Sequence, residues 1–311
     1  MNKSRVTLSA IITLIGAIAF GFISFLGNMY LKSGEYFNSI IYPVLFTLGL
    51  IILALVASKF KKKKFFFQKN AIKELLFVFI YLFLAIISMV SFTHFFTIQD
   101  RKNEISLKIE RDIENVKKMF PKYEESVNER IDGFDGFLDA TIAGKATNQT
   151  MYIKYFVIGG PDEIFQKNNK LNQFQDDLKP NEYDTMKQLA LDWLNKSQHI
   201  ILSLKPIGLM EVINSFETNS KEWYSKIQKY DKTINTFQDE GNNTPFTYNL
   251  SFSSVNEELT TIKKPDFISL GILIVVHIFI LFIYILAIRD GKSPGLFTAL
   301  LSKDNDSGSD L

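Results

Sequence analysis

The 311-residue chain contains no cysteine. That absence excludes a disulfide scaffold, thiol redox chemistry, a cysteine nucleophile, a cysteine-ligated metal and a lipid anchor on a lipobox cysteine. Histidine is scarce, with His94, His199 and His277 only. Two of these fall in strongly apolar stretches, so no histidine-based metal cluster can form within one chain. No phosphate-binding glycine loop, zinc-protease helix or GxSxG elbow occurs. The sequence therefore predicts no cofactor, no metal and no catalytic constellation. Glycine and proline are both missing between Gly49 and Pro121. Formal charge is missing from four stretches, Val6 to Leu31, Tyr36 to Ser58, Leu75 to Gln99 and Phe267 to Ile288.

Each of these four stretches exceeds the roughly 20 apolar residues that a helix needs to cross a bilayer core of roughly 30 Å. Lipid offers the backbone no hydrogen bonds, so helix is the economical form for such runs. Four transmembrane helices are predicted, as an N-terminal bundle over 1–99 and a fourth helix over 267–288. The first resembles a signal peptide in its basic start, but its apolar run is too long and no A-x-A-like site follows, so it reads as a retained anchor.

Lysine sets the orientation. Between the second and third stretches lie Lys59, Lys61, Lys62, Lys63, Lys64, Lys69 and Lys73, whereas the loop between the first and second has Lys32 against Glu35. Short loops rich in Lys and Arg stay in the cytoplasm. Lys3 and Arg5 before the first helix, and Arg289 and Lys292 after the fourth, fall on the same side when there are four crossings. Both termini are thus expected in the cytoplasm of a bacterial inner membrane, with 100–266 in the periplasm and 289–311 as a cytoplasmic tail. The outer segment holds 22 Lys and Arg against 27 Asp and Glu. Its acidic surplus gives no support to nucleic-acid binding, while the membrane-proximal basic residues suit anionic inner-leaflet lipids.

The long gap in glycine and proline predicts that the third helix runs on without a break from about Lys73 to Phe120, about 70 Å at 1.5 Å per residue, as a stalk. Ile105, Ile109, Ile113, Val116 and Phe120 recur at spacings of three and four, so this face must pack against something. Pro121 is expected at a bend, with the same period resuming at Tyr123, Val127, Ile131, Phe134 and Leu138. A helix is predicted over Asn181 to Leu204, with Met186, Leu189, Trp193, Ile200 and Ile201 in the core. A short helix with Leu209, Val212, Ile213 and Phe216 precedes a further one from about Ser220, bearing Trp223, Ile227, Tyr230, Ile234 and Phe237. Two segments read as strands: Met151 to Ile158, and Phe246, Tyr248, Leu250 and Phe252 in strict alternation with polar residues. The expected fold is mainly α, a polytopic membrane protein with a mostly helical extracytoplasmic domain carrying a small β element.

Intramembrane His94 and His277 read as polar packing or interface anchors rather than a proton relay, because no Asp or Glu lies in any span. Glu124, Glu125, Glu129, Asp132, Asp135 and Asp139 read as the solvated face of an amphipathic helix. The acidic tail from Lys303 to Leu311 lacks the Glu of a calcium loop and reads as disordered. Two features carry more information. Ala10, Thr13, Ala17, Gly21, Ser24 and Asn28 form a seam of small and weakly polar residues on the first helix, which serves close packing within the subunit or between subunits. The run Lys61-Lys62-Lys63-Lys64-Phe65-Phe66-Phe67 is more basic than topology requires, and serves as a membrane anchor or as a dock for an acidic cytoplasmic partner.

Three apolar helices, a large outer insertion and a fourth helix describe a membrane-anchored, oligomeric assembly component. The layout, from Val6–Gln99 through Asp100–Asp266 to Phe267–Ile288, and the Lys/Asn/Ile/Phe-rich composition resemble TssN, the polytopic inner-membrane component of the type VI secretion systems of Bacteroidota. The resemblance implies a non-enzymatic structural role in a trans-envelope complex, with other envelope-complex proteins as partners. The alternative is a sensory or regulatory membrane subunit that passes a periplasmic signal to a separate partner.

Overall fold

The computed structural model describes residues 3–63, 67–232, 245–252 and 255–288, with 296 and 298. Among the described residues eleven helices are numbered: α1 (Lys3–Leu31), α2 (Tyr36–Lys61), α3 (Phe67–Asp100), α4 (Lys102–Ala143), α5 (Gln149–Tyr155), α6 (Glu163–Leu178), α7 (Asn181–Ser203), α8 (Pro206–Lys232), α9 (Val255–Thr260), α10 (Phe267–Ile280) and α11 (Phe282–Ile285). The chain divides into two compact units. Unit 1 comprises Met1–Glu104, Lys205–Met210 and Asn256–Leu311, and unit 2 comprises Ile105–Leu204 and Glu211–Val255.

Unit 1 is an apolar helix bundle. Three of its helices are long and apolar enough to cross a membrane, Thr7–Leu31, Tyr36–Lys61 and Gln68–Asp100. The expected fourth span is shorter as a helix: α10 ends at Ile280 and the single turn α11 follows after Leu281. Ala17, Phe20, Leu50, Ala54, Tyr81, Phe92, Leu273, Val276 and Ile280 form the buried centre, so α10 packs among the other three. The outer surfaces of α1, α2 and α3 remain strongly apolar, as lipid-facing helices require.

The turn between α1 and α2 is a Schellman motif. Gly34 N–H donates to Met29 O at 2.8 Å and Ser33 N–H to Tyr30 O at 3.2 Å. Gly34 sits at φ 82°, and a Cβ there would lie 2.8 Å from Met210 Cβ. A larger residue is excluded on both grounds.

Unit 2 is built on α4, α5, α6, α7 and most of α8. Its core joins Phe120, Tyr123, Val127 and Phe134 of α4 to Tyr152, Tyr155, Phe174, Tyr183, Met186 and Ile227. Aromatic rings dominate it: Tyr123 meets Tyr183 at 5.4 Å and Phe246 at 5.2 Å, and Phe134 meets Phe174 at 4.9 Å.

Several expectations are corrected. The helix does not run unbroken from α3 to Phe120: it is interrupted at Arg101, whose guanidinium is drawn between Glu104 and Glu258. Pro121 neither ends nor separates helices, because it lies inside α4. It is exposed, so water can take the carbonyl that its missing N–H leaves free, and the buried stripe continues through Tyr123 and Val127.

Among the described residues there is no strand. Met151 to Tyr155 is helical because the Asn148 side chain caps Met151 N–H and Tyr152, Tyr155 and Phe156 bury at helical spacing. Phe246 to Phe252 keeps its alternating burial but pairs with no strand among the described residues. In α7, Leu189 (65 % exposed) and Ile200 (44 %) face out. The buried stripe is Tyr183, Met186, Ala190, Leu194, Ser197 and Ile201, and includes small and polar residues that a search for large apolar ones passes over. The two helices expected around Ser220 are one: Ser220 Oγ donates back to Phe216 O at 2.6 Å inside α8 instead of capping a new start. Ile234 and Phe237 lie outside the described residues. Helix α6 was not foreseen. Its sequence is polar, and it anchors by Phe174 and Leu178.

Candidate functional site

The seam of α1 meets other helices of its own chain. Thr13 Oγ1 donates to Ile280 O at 3.3 Å and accepts from Ile283 N–H at 3.2 Å. Ala17 and Ser24 are buried, Gly21 faces Thr47, and Ala10 is exposed. Asn28 is the most engaged. Pro43 has no N–H to donate to Ser39 O, and Asn28 Nδ2 donates to that carbonyl at 3.1 Å. Ser39 Oγ returns a bond to Asn28 O at 3.3 Å and Ser91 Oγ donates to Asn28 Oδ1 at 3.4 Å, so one side chain ties α1, α2 and α3 together. Gly27, beside the seam, approaches α3 so closely that a Cβ would lie 1.8 Å from Ser91 O.

Of the lysine cluster, Lys61 points into the bundle, while Lys59, Lys62, Lys63, Lys69 and Lys73 are exposed; Lys64 lies outside the described residues, as do Arg289, Lys292 and the acidic tail. Lys61 Nζ donates to Tyr284 O at 3.0 Å and sits 4.6 Å above the Tyr284 ring. The Tyr284 hydroxyl donates to Glu74 Oε1 at 2.8 Å. Glu74, 1 % exposed, is not among the residues that the sequence singles out. Its signal is position: it is the acid standing one residue before a long uncharged run. Ser58 Oγ adds a bond to Ile283 O at 3.4 Å.

His277 lies within bonding distance of Tyr81, Nδ1 to Oη 2.9 Å, while Phe20 and Tyr81 pack their rings on it. Toward the other end of the bundle His94 Nε2 donates to Leu259 O at 2.7 Å, and Gln99 Nε2 donates to the Tyr30 hydroxyl at 3.3 Å. Both histidines thus link helices of unit 1. His199 is exposed on α7.

In unit 2 the expected packing face, Ile105, Ile109, Ile113, Val116 and Phe120, is buried throughout. Of the acids of α4, Glu125, Glu129 and Asp132 are exposed, while three are met by lysines of α6 and α7: Lys167 Nζ lies 2.8 Å from Asp135 and 2.6 Å from Asp139, and Lys187 Nζ lies 2.8 Å from Glu124. Burial works against the Glu124 carboxylate, but Lys187 and Lys179 outweigh it and hold its pKa below the ordinary 4.5. Tyr123 and Tyr183 ionise less readily than usual, chiefly through burial, and their hydroxyls donate to Leu178 O and Phe120 O.

The sequence reading missed a buried ion pair, Arg130 with Asp231. Arg130 also lies over the Phe174 ring, and the second Asp231 oxygen accepts Phe246 N–H at 2.8 Å. The signal was present: Arg130 occupies an inward register between Val127 and Phe134. Among the described residues no group of three His, Asp or Glu side chains is arranged to hold a metal ion. Comparison with protein-family models, curated proteins and solved structures gives no match to this chain.

Proposed function

We propose that the chain is a polytopic structural subunit of an envelope-spanning assembly in a bacterial inner membrane. Its role is non-enzymatic, with four spans, both termini in the cytoplasm and 100–266 in the periplasm. The carrying observation is the register of polar bonds in unit 1. Thr13 near the start of α1 meets Ile280 and Ile283 near the end of α10 and α11; Ser58 and Lys61 at the end of α2 meet Ile283 and Tyr284; Glu74 near the start of α3 meets Tyr284. This order supports α10 and α11 running antiparallel to α1 and α3 and parallel to α2, with the lysine-rich turn and α11 at one end of the bundle. From Phe267 to Ile285 the rise is about 28 Å at 1.5 Å per residue, close to a bilayer core.

The assembly role rests on what the buried polar groups do. In each unit they join helix to helix, as Asn28, Glu74, Tyr123 and Arg130 illustrate, which suits a rigid scaffold. The layout resembles the TssN component of type VI secretion, whose role in a trans-envelope complex is the one proposed, with envelope-complex proteins and membrane lipids as partners. A sensory role is the second reading, favoured by one observation: α3 and α4 follow each other with only Arg101 between them, so a shift in one has a short path into the other.

Reporter fusions test the topology. Fusions after Leu31 and at Gly160 should report the periplasm and those near Lys64 and Lys303 the cytoplasm; a cytoplasmic signal at Gly160 overturns the proposal. Purification in mild detergent with mass spectrometry separates the roles. Envelope and secretion components are expected in the complex, whereas a kinase or sigma-factor regulator in their place favours sensing.

A further inference from the structure

The segment Phe246–Phe252 was expected to be a strand, and it keeps the alternating burial of one while pairing with no strand among the described residues. Phe246 is buried and Tyr248, Leu250 and Phe252 are partly buried, while Thr247, Asn249 and Ser251 are exposed. The inward residues hold it in place: Phe246 packs on Tyr123 and Tyr224, the Tyr248 hydroxyl donates to Asn115 O at 2.7 Å, and Phe252 meets Phe216 edge-on at 5.8 Å. Two amides turn toward α8. Phe246 N–H donates to Asp231 Oδ2 at 2.8 Å and Tyr248 N–H to the Tyr224 hydroxyl at 3.0 Å.

In extended chain the amide groups of alternate residues point to the same edge. The N–H and C=O groups of Thr247, Asn249 and Ser251 therefore point to the opposite edge, where among the described residues they have no hydrogen-bond partner. An anchored, extended edge of unpaired amides is a template for another strand.

We propose that this edge pairs, antiparallel, with the same segment of a second copy of the chain, about a two-fold axis at Asn249. The segment itself argues for this occupant. No formal charge occurs from Gly241 to Asn256, so two copies meet without like-charge repulsion. In this register Asn249 faces Asn249 and Thr247 faces Ser251, so small polar residues meet small polar residues. On the other face Phe246 meets Phe252 and Tyr248 meets Leu250. A two-fold contact requires such self-complementarity. The three outward residues all fall at hydrogen-bonded positions, giving about six main-chain bonds from groups that have no partner among the described residues. The inference stands on this edge alone and is independent of the secretion assignment.

The absence of native cysteine makes the test direct. Hydrogen-bonded antiparallel pairs hold their Cα atoms about 5.5 Å apart, within reach of a disulfide. In full-length protein oxidised in its own membrane, Asn249→Cys should form a linked dimer at least ten-fold faster than Asn195→Cys, an exposed control on α7. Co-expressed Thr247→Cys and Ser251→Cys chains should link to each other ten-fold faster than either links to itself. Asn249→Pro removes an outward N–H that has no partner among the described residues. Added to the Thr247→Cys and Ser251→Cys chains, it should leave their thermal unfolding unchanged and lower their cross-linking ten-fold. Two results overturn the proposal: Asn249→Cys linking no faster than Asn195→Cys, or Thr247→Cys linking to itself as fast as to Ser251→Cys, the pattern of parallel strands. Should Asn249→Pro fail to fold, the cysteine pattern alone decides.

Discussion

At the scale of single residues, the buried polar groups explain more of this molecule than its apolar ones. Asn28 answers a backbone vacancy created by Pro43, fifteen positions along the chain. A double-mutant cycle isolates that bond. Asn28→Ala should cost about 1 kcal/mol in a membrane-based unfolding assay, the usual scale of an interhelical hydrogen bond in lipid. In a Pro43→Ala background, where residue 43 can donate to Ser39 O, the same change should cost clearly less; equal costs would show that Asn28 is not coupled to the Pro43 vacancy. Glu124 gives a second test, in pH. Its pKa is lower in the fold than its ordinary value, so the stability from its lysine pairs is fully present above about pH 4.5 and is lost as pH falls through the folded value. Thermal unfolding of unit 2, followed from pH 7 to pH 3, should decline less steeply at the acid end in Glu124→Gln than in the parent.

At the scale of elements, α4 is the chief structural member of unit 2. Its inward stripe of isoleucine, valine and aromatic residues runs past Pro121 without a change of face, which is why a proline on the exposed side does not end it. Ile109→Asp buries a charge without a partner and should destabilise the protein by several kcal/mol. Leu107→Asp, at a position 54 % exposed two residues away, should be close to neutral. Comparable losses at both positions would show that the buried face is misassigned. The stripe was legible because large apolar residues mark it at a helical period. That of α7 was not, because Ala190 and Ser197 are buried where α7 approaches its neighbours closely, while Leu189 stands outside.

At the scale of the whole molecule, unit 1 closes only with residues far along the chain. The Thr13 hydroxyl, Tyr81 and Lys61 all find partners between His277 and Tyr284. A chain stopped before Phe267 leaves these groups facing lipid or one another, where an unsatisfied polar group costs several kcal/mol. Its membrane abundance should fall several-fold in a pulse-chase measurement. Full abundance of the truncated chain would mean that the first three helices form a stable bundle alone and that the α10 contacts are dispensable.

The three long apolar helices, the helical character of the outer segment and the buried face from Ile105 to Phe120 were determined by local pattern alone, because length, hydropathy and a period near 3.6 act over a few turns and need no distant partner. Tertiary structure decided the rest. Met151 to Tyr155 has strand-forming residues, yet an Asn148 cap and a core waiting at helical spacing make it helix. Phe246 to Phe252 alternates as a strand, yet a strand is defined by its neighbour, and the described fold supplies side chains of α8 instead. Arg130, Asp231 and Glu74 look like surface charge in sequence, since burial of a charged group depends on whether its counterpart, a hundred or more residues away, is brought within bonding distance.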